Sequence, residues 1–125
     1  FHKAVNEKAL FVPIPLFSAK LRNRGYNQAE ILSTRLAKRL GLASVNLLQR
    51  TRNTSSQFRL SRKERQENIA GAFSLMPQKR VQIADRVLFL IDDVVTSGAT
   101  LVEAANVLKR GGAKRVYGLA LAHGQ

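Results

Sequence analysis

The sequence predicts a single α/β domain, residues 1–125, whose mostly parallel central sheet is flanked by helices, and three stretches carry that reading. Val87-Leu88-Phe89-Leu90-Ile91 is an unbroken apolar run of the kind a strand takes when both its faces are buried. It gives way to Asp92-Asp93, a turn of small residues, and a helical pattern in which Leu101, Ala104, Ala105 and Leu108 recur until Gly111-Gly112. Val116 to Ala122 then reads as another buried strand, which completes a right-handed strand-helix-strand unit with parallel strands.

Taken from the start, Phe1 to Lys8 is a short mixed lead-in, with His2 an exposed terminal residue. Leu10 to Leu16 has strand composition, but Pro13 and Pro15 argue against a regular central ladder, so a strand is expected to end near Val12 and leave by a stiff extended exit. Phe17 to Tyr26 reads as a basic loop. A helix follows from about Asn27, which caps it with Glu30 as the capping-box partner, and Ala29, Leu32, Leu36 and Leu40 form its apolar face before Gly41. Val45 to Leu48 is the next strand. Arg50 to Asn68 is long, polar and strongly basic, which marks it as a flexible loop or flap, with a short helix possible over Ser61 to Ala70. Ala72 to Met76 is a short strand that turns at Pro77-Gln78-Lys79, and a linker through Arg86 feeds the central strand.

The chemistry concentrates where that central strand ends. A helix N-terminus carries unpaired N–H groups and the positive end of the macrodipole, so a turn of small residues leading into it can wrap an anion such as phosphate. Gly98 and Ala99 allow close backbone approach, and Thr96, Ser97 and Thr100 supply hydroxyl donors. Asp92 and Asp93 lie just upstream, at the carboxyl end of the strand, where open α/β sheets bind ligands; carboxylates suit sugar hydroxyls or a hydrated Mg²⁺. The two parts together fit a ribose 5-phosphate. The same residues also fit an ordinary strand-to-helix turn capped by Thr96 or Ser97 beside a solvated aspartate pair. A lysine-bearing phosphate loop is excluded by Ala99, and a dinucleotide fingerprint by the single Gly98. Adjacent residues on a strand point to opposite faces, so both aspartates reach one ligand only if the backbone bends beyond Ile91.

Lys and Arg number 21 against 8 Asp and Glu, a formal charge of +13, which draws anionic partners, single-stranded DNA among them. The same excess also serves plain solubility. Guanidinium forks match phosphate oxygens, and Arg22 and Arg24 in the basic loop are the candidates for gripping a pyrophosphate, with Arg52 and Arg65 on the flap. A hydrophobic content of 45% excludes wholesale disorder, no run approaches membrane-spanning length, and the absence of Cys excludes disulfides and makes a cytoplasmic location the default. Phe1 in place of an initiating Met is expected of a fragment.

Four or more apolar residues, two acids, two apolar residues and Thr96-Ser97-Gly98-Ala99-Thr100 closely resemble the phosphoribosyl-pyrophosphate (PRPP) motif of the type I phosphoribosyltransferases. Val12-Pro13-Ile14-Pro15-Leu16, Arg24-Gly25-Tyr26-Asn27-Gln28-Ala29, and Arg50-Thr51-Arg52 with Gln57, Leu60, Arg65, Asn68 and Phe73 narrow the resemblance to the ComF/GntX family. The resemblance implies a type I phosphoribosyltransferase-like fold, PRPP bound with Mg²⁺, and phosphoribosyl transfer to a nitrogen acceptor. It assigns Asp92 and Asp93 to the ribose hydroxyls and 96–100 to the 5-phosphate, with the metal held chiefly through PRPP and touched by an aspartate at most through water. It also implies a link to competence, to DNA uptake and utilisation, and to proteins that process DNA. The other reading it leaves open is a non-catalytic PRPP or nucleotide sensor whose basic surface binds single-stranded DNA. Two departures matter: members usually begin with a cysteine-rich zinc segment, absent here, and Thr96 stands where many purine-salvage members carry an acid, which leaves no carboxylate general acid or base at that position.

Overall fold

The computed structural model describes residues 9–51, 63, 69–95 and 98–123. Strands β1 (Leu10–Pro13), β2 (Ala43–Ser44), β5 (Val87–Val95) and β6 (Arg115–His123) form one parallel sheet in the order β2-β1-β5-β6. Strands β3 (Leu48–Arg50) and β4 (Phe73–Leu75) pair antiparallel as a separate two-stranded ribbon. Helices α1 (Ser18–Arg24) and α2 (Gln28–Leu40) follow β1; a 3₁₀ turn, Pro77–Lys79, runs into the short α3 (Arg80–Ile83); α4 (Ala99–Arg110) joins β5 to β6.

The central run alternates as a doubly buried strand must. Leu88 and Leu90 point to the side covered by α4 and the ribbon, among Val12, Phe73, Ile83, Ala104 and Leu108. Val87, Phe89 and Ile91 point to the other side, where Phe11 and Ala37 wait, with Leu32 and Leu36 packed alongside. A helix or ribbon therefore closes each face, and the expected α/β architecture with a parallel central sheet is what the chain adopts.

Several expectations need correcting. β1 is a central strand despite its proline: Pro13 lies opposite Ile91, and Ile14 N–H donates to Ile91 O at 2.9 Å, so the ladder with β5 continues beyond it. Successive N–H groups alternate sides, which turns the position of Pro13's missing donor toward β2, and β2 pairs with β1 only as far as Phe11. The loop expected over Phe17–Tyr26 is largely the helix α1. Asn27 does cap α2, accepting from Ala29 N–H at 3.1 Å, whereas the Glu30 carboxylate meets Asn46 Nδ2 at 3.5 Å. The buried face of α2 is Ala29, Ser33 and Ala37, while Leu40 is exposed. Small residues bring the helix close to the sheet, and Ser33 Oγ is satisfied by Ser44 Oγ at 2.7 Å.

The strand expected over Val45–Leu48 divides. β2 ends at Ser44 and β3 begins at Leu48, with buried Leu47 between the two sheets. The linker before β5 contains α3. β6 is not buried on both faces, for it is the edge strand of the sheet, with Tyr117 and Leu119 45% and 44% exposed. The flap residues 52–62 and 64–68, and with them most of the helix considered over Ser61–Ala70, lie outside the described residues, as does the lead-in 1–8.

Candidate functional site

β1 ends before β5 does, and that difference in length makes the site. Beyond Ile91 the β1 chain leaves the sheet through Ile14, Pro15 and Leu16, which opens a cleft of about 210 Å³ at the carboxyl ends of the central strands. Asp92 and Asp93 form its base, both bordering the same space although strict alternation would part them. Asp93 N–H donates to Asp92 Oδ1 at 2.9 Å, so the Asp92 carboxylate folds back onto its neighbour's amide. β5 runs on through both acids to Val95, and its register with β6 passes from Asp92 to Val94 and Val95.

Thr100, in the first turn of α4, lines the cleft as well. Gly98 is the N-cap in a left-handed conformation at φ 80°, a geometry that favours glycine, and the helix starts there without a side-chain cap. Ala99 is buried in the core behind it. Thr96 and Ser97 lie outside the described residues.

Two cations also line the cleft, Arg24 and Arg50. Arg24, the last residue of α1, borders the cleft; Arg22, two residues earlier, is exposed and does not line it. Arg52 and Arg65 lie outside the described residues. Two site residues were not among those selected from sequence. Asn27, read there only as a cap, also donates from Nδ2 to Ile14 O at 3.0 Å, so one side chain starts α2 and pins the β1 exit that borders the cleft. Arg50 closes β3 and sits opposite Phe73 in the ribbon, its guanidinium carbon 4.9 Å from the ring centroid. The available signal for Arg50 was a cation at the junction between an apolar run and the basic segment.

These groups change one another's ionisation. Asp92 is raised from the ordinary carboxylate range to about 7, first by burial, then by its side-chain hydrogen bond with Asp93 and that neighbour's negative charge; Arg50 opposes the rise weakly. Burial lowers Arg50, and Asp92 partly restores it. Two adjacent carboxylates in a half-buried cleft favour a ligand that donates hydrogen bonds or a cation that neutralises them. Among the described residues no cluster of three or more His, Cys, Asp or Glu side chains is placed to hold a metal. Two carboxylates alone would hold a hydrated Mg²⁺ through its water shell and would leave most of its coordination to other ligands.

The phosphoribosyl transferase domain family matches residues 21–123, about four-fifths of the chain, including both acids of the cleft. The chain belongs to that family. Within it the chain is a ComF-type member of the type I phosphoribosyltransferase superfamily. It is 39% identical over 114 residues to Competence protein F of Haemophilus influenzae, an alignment that covers 89% of this chain and 49% of the relative. It is 35% identical over 106 residues to the DNA utilization protein YhgH of Escherichia coli K12, covering 84% and 45%. Against Competence protein ComFC of Streptococcus pneumoniae it is 34% identical over 106 residues, covering 85% and 44%. The ComF-type chain thus spans about half the length of the curated relatives it matches. Among its described residues no helix is long and apolar enough to cross a membrane.

Proposed function

We propose that this domain binds PRPP together with Mg²⁺ and transfers its phosphoribosyl group to a nitrogen nucleophile. The observation that carries the reading is the convergence of Asp92, Asp93 and Thr100 with Arg24 and Arg50 on one cleft at the carboxyl ends of β1 and β5. Acids and cations line one space, which suits a ligand that carries both sugar hydroxyls and phosphates.

In this reading Asp92 and Asp93 accept hydrogen bonds from the two ribose hydroxyls and fix the ring. Residues 96–100 take the 5-phosphate, with Thr100 donating from its hydroxyl and the first turn of α4 supplying dipole and amides. Arg24 holds the leaving pyrophosphate, with Arg22, Arg52 and Arg65 as the further cations that join it when ligand is bound. Asp92 or Asp93 would meet a Mg²⁺ that arrives with PRPP through water, and the ion would supply charge neutralisation at the leaving group. The bond from the anomeric carbon to the pyrophosphate oxygen breaks as the bond to nitrogen forms, and the nucleophile gives up its proton. The chain's contribution is alignment and charge: a ring held by two carboxylates presents its anomeric carbon in a fixed direction.

Isothermal titration with PRPP and Mg²⁺ tests the binding step. Micromolar-range affinity is expected, lost when Asp92→Asn and Asp93→Asn are combined; an unchanged heat in the double variant would overturn the ribose assignment. Release of pyrophosphate during a screen of nitrogen acceptors tests the transfer step. PRPP binding without release under any acceptor would leave the second reading, a PRPP or nucleotide sensor. The charge of +13 and the competence and DNA-utilization names of the relatives favour giving that sensor a single-stranded DNA partner on its basic surface.

A further inference from the structure

We propose that the open face of β6 binds single-stranded DNA, with Tyr117 as the ring on which a base stacks and the arginines beside it as contacts for the phosphates. The inference gives the DNA reading above a place and a mode, and it stands whether or not the cleft takes PRPP. Three aromatic rings run in a row across the sheet, Phe11 on β1, Phe89 on β5 and Tyr117 on β6, with ring centroids 5.4 Å apart at each step. The row is buried at Phe11 and Phe89 and opens at Tyr117, which is about half exposed. Phe89 and Tyr117 lie within 22° of parallel, so a core residue steadies the exposed ring.

The α2 side of the sheet is only partly covered. Helix α2 packs on β2, β1 and β5, and among the described residues no helix packs in the same way over β6 on that side. Arg115, Tyr117 and Leu119 stand opposite Val87, Phe89 and Ile91 and share their face, and all three are exposed. A sheet face left to water ordinarily alternates to polar residues. Two large apolar side chains in succession on an open face instead mark a contact surface.

The charge beside that strip selects the partner. On α2, Ser33 turns to Ser44 of β2, so Leu32, one residue or about 100° earlier, marks the flank toward β6. Arg35 and Arg39 follow Leu32 by three and seven residues, so they rise on that flank, and both are exposed. Arg115 opens the strip on the other side. β6 carries no acid, and the one acid of α2, Glu30, is turned to Asn46 after β2, away from the strip. A trough with an aromatic and aliphatic floor and arginines on both sides suits a polyanion that also offers flat rings. Sheet faces with exposed aromatics hold unpaired bases in just this manner. A duplex keeps its bases stacked inside, and an apolar protein surface would match the floor but not the arginines.

Fluorescence anisotropy on the full chain tests this with two labelled probes, a short oligothymidylate and an abasic strand of equal length. The wild type is expected to bind the thymidylate about tenfold more tightly than the abasic strand. Tyr117→Ala and Tyr117→Leu are each expected to remove most of that difference, while Tyr117→Phe stays within twofold of the wild type; thermal melts check the fold. Leu keeps apolar area without the flat ring, so undiminished affinity in Tyr117→Leu overturns the stacking. Joint replacement of Arg35, Arg39 and Arg115 by Ala is expected to weaken both strands and to reduce the salt slope by about 2, three contacts at roughly 0.7 each. An unchanged slope overturns the assignment of the arginines. If the Tyr117 variants do not fold, the wild type decides, and equal affinity for the two strands overturns the inference. Sedimentation adds the rival occupant: a dimer that Tyr117→Ala disperses, with DNA affinity intact, gives the face to a second copy and overturns the proposal. Salt-sensitive DNA binding that ignores every change on this face removes the site and keeps the DNA reading, whereas no binding of either strand defeats both.

Discussion

The Asp92 carboxyl group carries the clearest electrostatic consequence of a single residue in this chain. Buried beside Asp93 and raised to about 7, it keeps its proton in the folded protein at pH values where the unfolded chain has already released it. The folded state therefore binds more protons than the unfolded state between about pH 4 and 7. Stability contributed by the neutral form is complete below the unfolded value near 4, falls as pH rises through 7, and is flat above. Asn at this position cannot ionise, yet its side-chain oxygen can still accept from Asp93 N–H. Asp92→Asn is accordingly expected to match the wild type near pH 4 and to exceed it at pH 8 by on the order of 2 kcal/mol, discounted from the full shift because the cleft admits water. Denaturant titrations of ligand-free protein at the two pH values check this, and a stability difference that does not change with pH would overturn it. The acids were legible in the sequence because their partnership is between neighbours. Arg50 was not, because what makes it a site residue is its approach to Asp92 and Phe73 across the fold.

At the scale of elements, the cleft depends on how β1 hands the chain to α2. Asn27 performs two tasks with one side chain, capping the helix through its oxygen and holding Ile14 O through its nitrogen. Asn27→Ala removes the cap and leaves the Ile14 carbonyl without that donor, and it is expected to cost about 1–2 kcal/mol in denaturant melts. It should also weaken PRPP binding, since Ile14, Pro15 and Leu16 border the space. Asn27→Asp keeps the capping oxygen and loses the donor to Ile14; recovery of stability without recovery of affinity would separate the two tasks. The cap was readable from sequence and the bridge was not, since only the first is local. The same divide explains the other differences. A leucine stripe was the stronger periodic signal on α2, but the sheet selected its small-residue face, where Ser33 meets Ser44. Helix α1 buries no residue, so it offered no apolar period to read. The run 116–122 has a buried strand's composition, but its exposure follows from its place at the sheet's edge, which composition does not encode.

Across the whole molecule, the net charge of +13, which remains after 8 acids are set against 21 Lys and Arg, exceeds what one small ligand uses. That surplus belongs to the surface. The cleft, about 210 Å³ and lined by two carboxylates as well as Arg24 and Arg50, has room for a sugar phosphate and not for an extended strand. If single-stranded DNA is a partner, it should be held by surface Lys and Arg through its phosphates, and the two kinds of binding should be separable. Each phosphate contact on a single strand contributes roughly −0.7 to the slope of log affinity against log salt, so four contacts predict about a fiftyfold loss between 50 and 200 mM salt. Fluorescence anisotropy of a labelled oligonucleotide is expected to show a loss of that order, and to show it equally in the domain that carries both Asp92→Asn and Asp93→Asn. PRPP with Mg²⁺ in excess should displace little of the DNA, because the ligand occupies the cleft and the strand the cationic exterior. A salt-insensitive signal would remove phosphates as the target, and full displacement by PRPP would place the strand at the cleft instead.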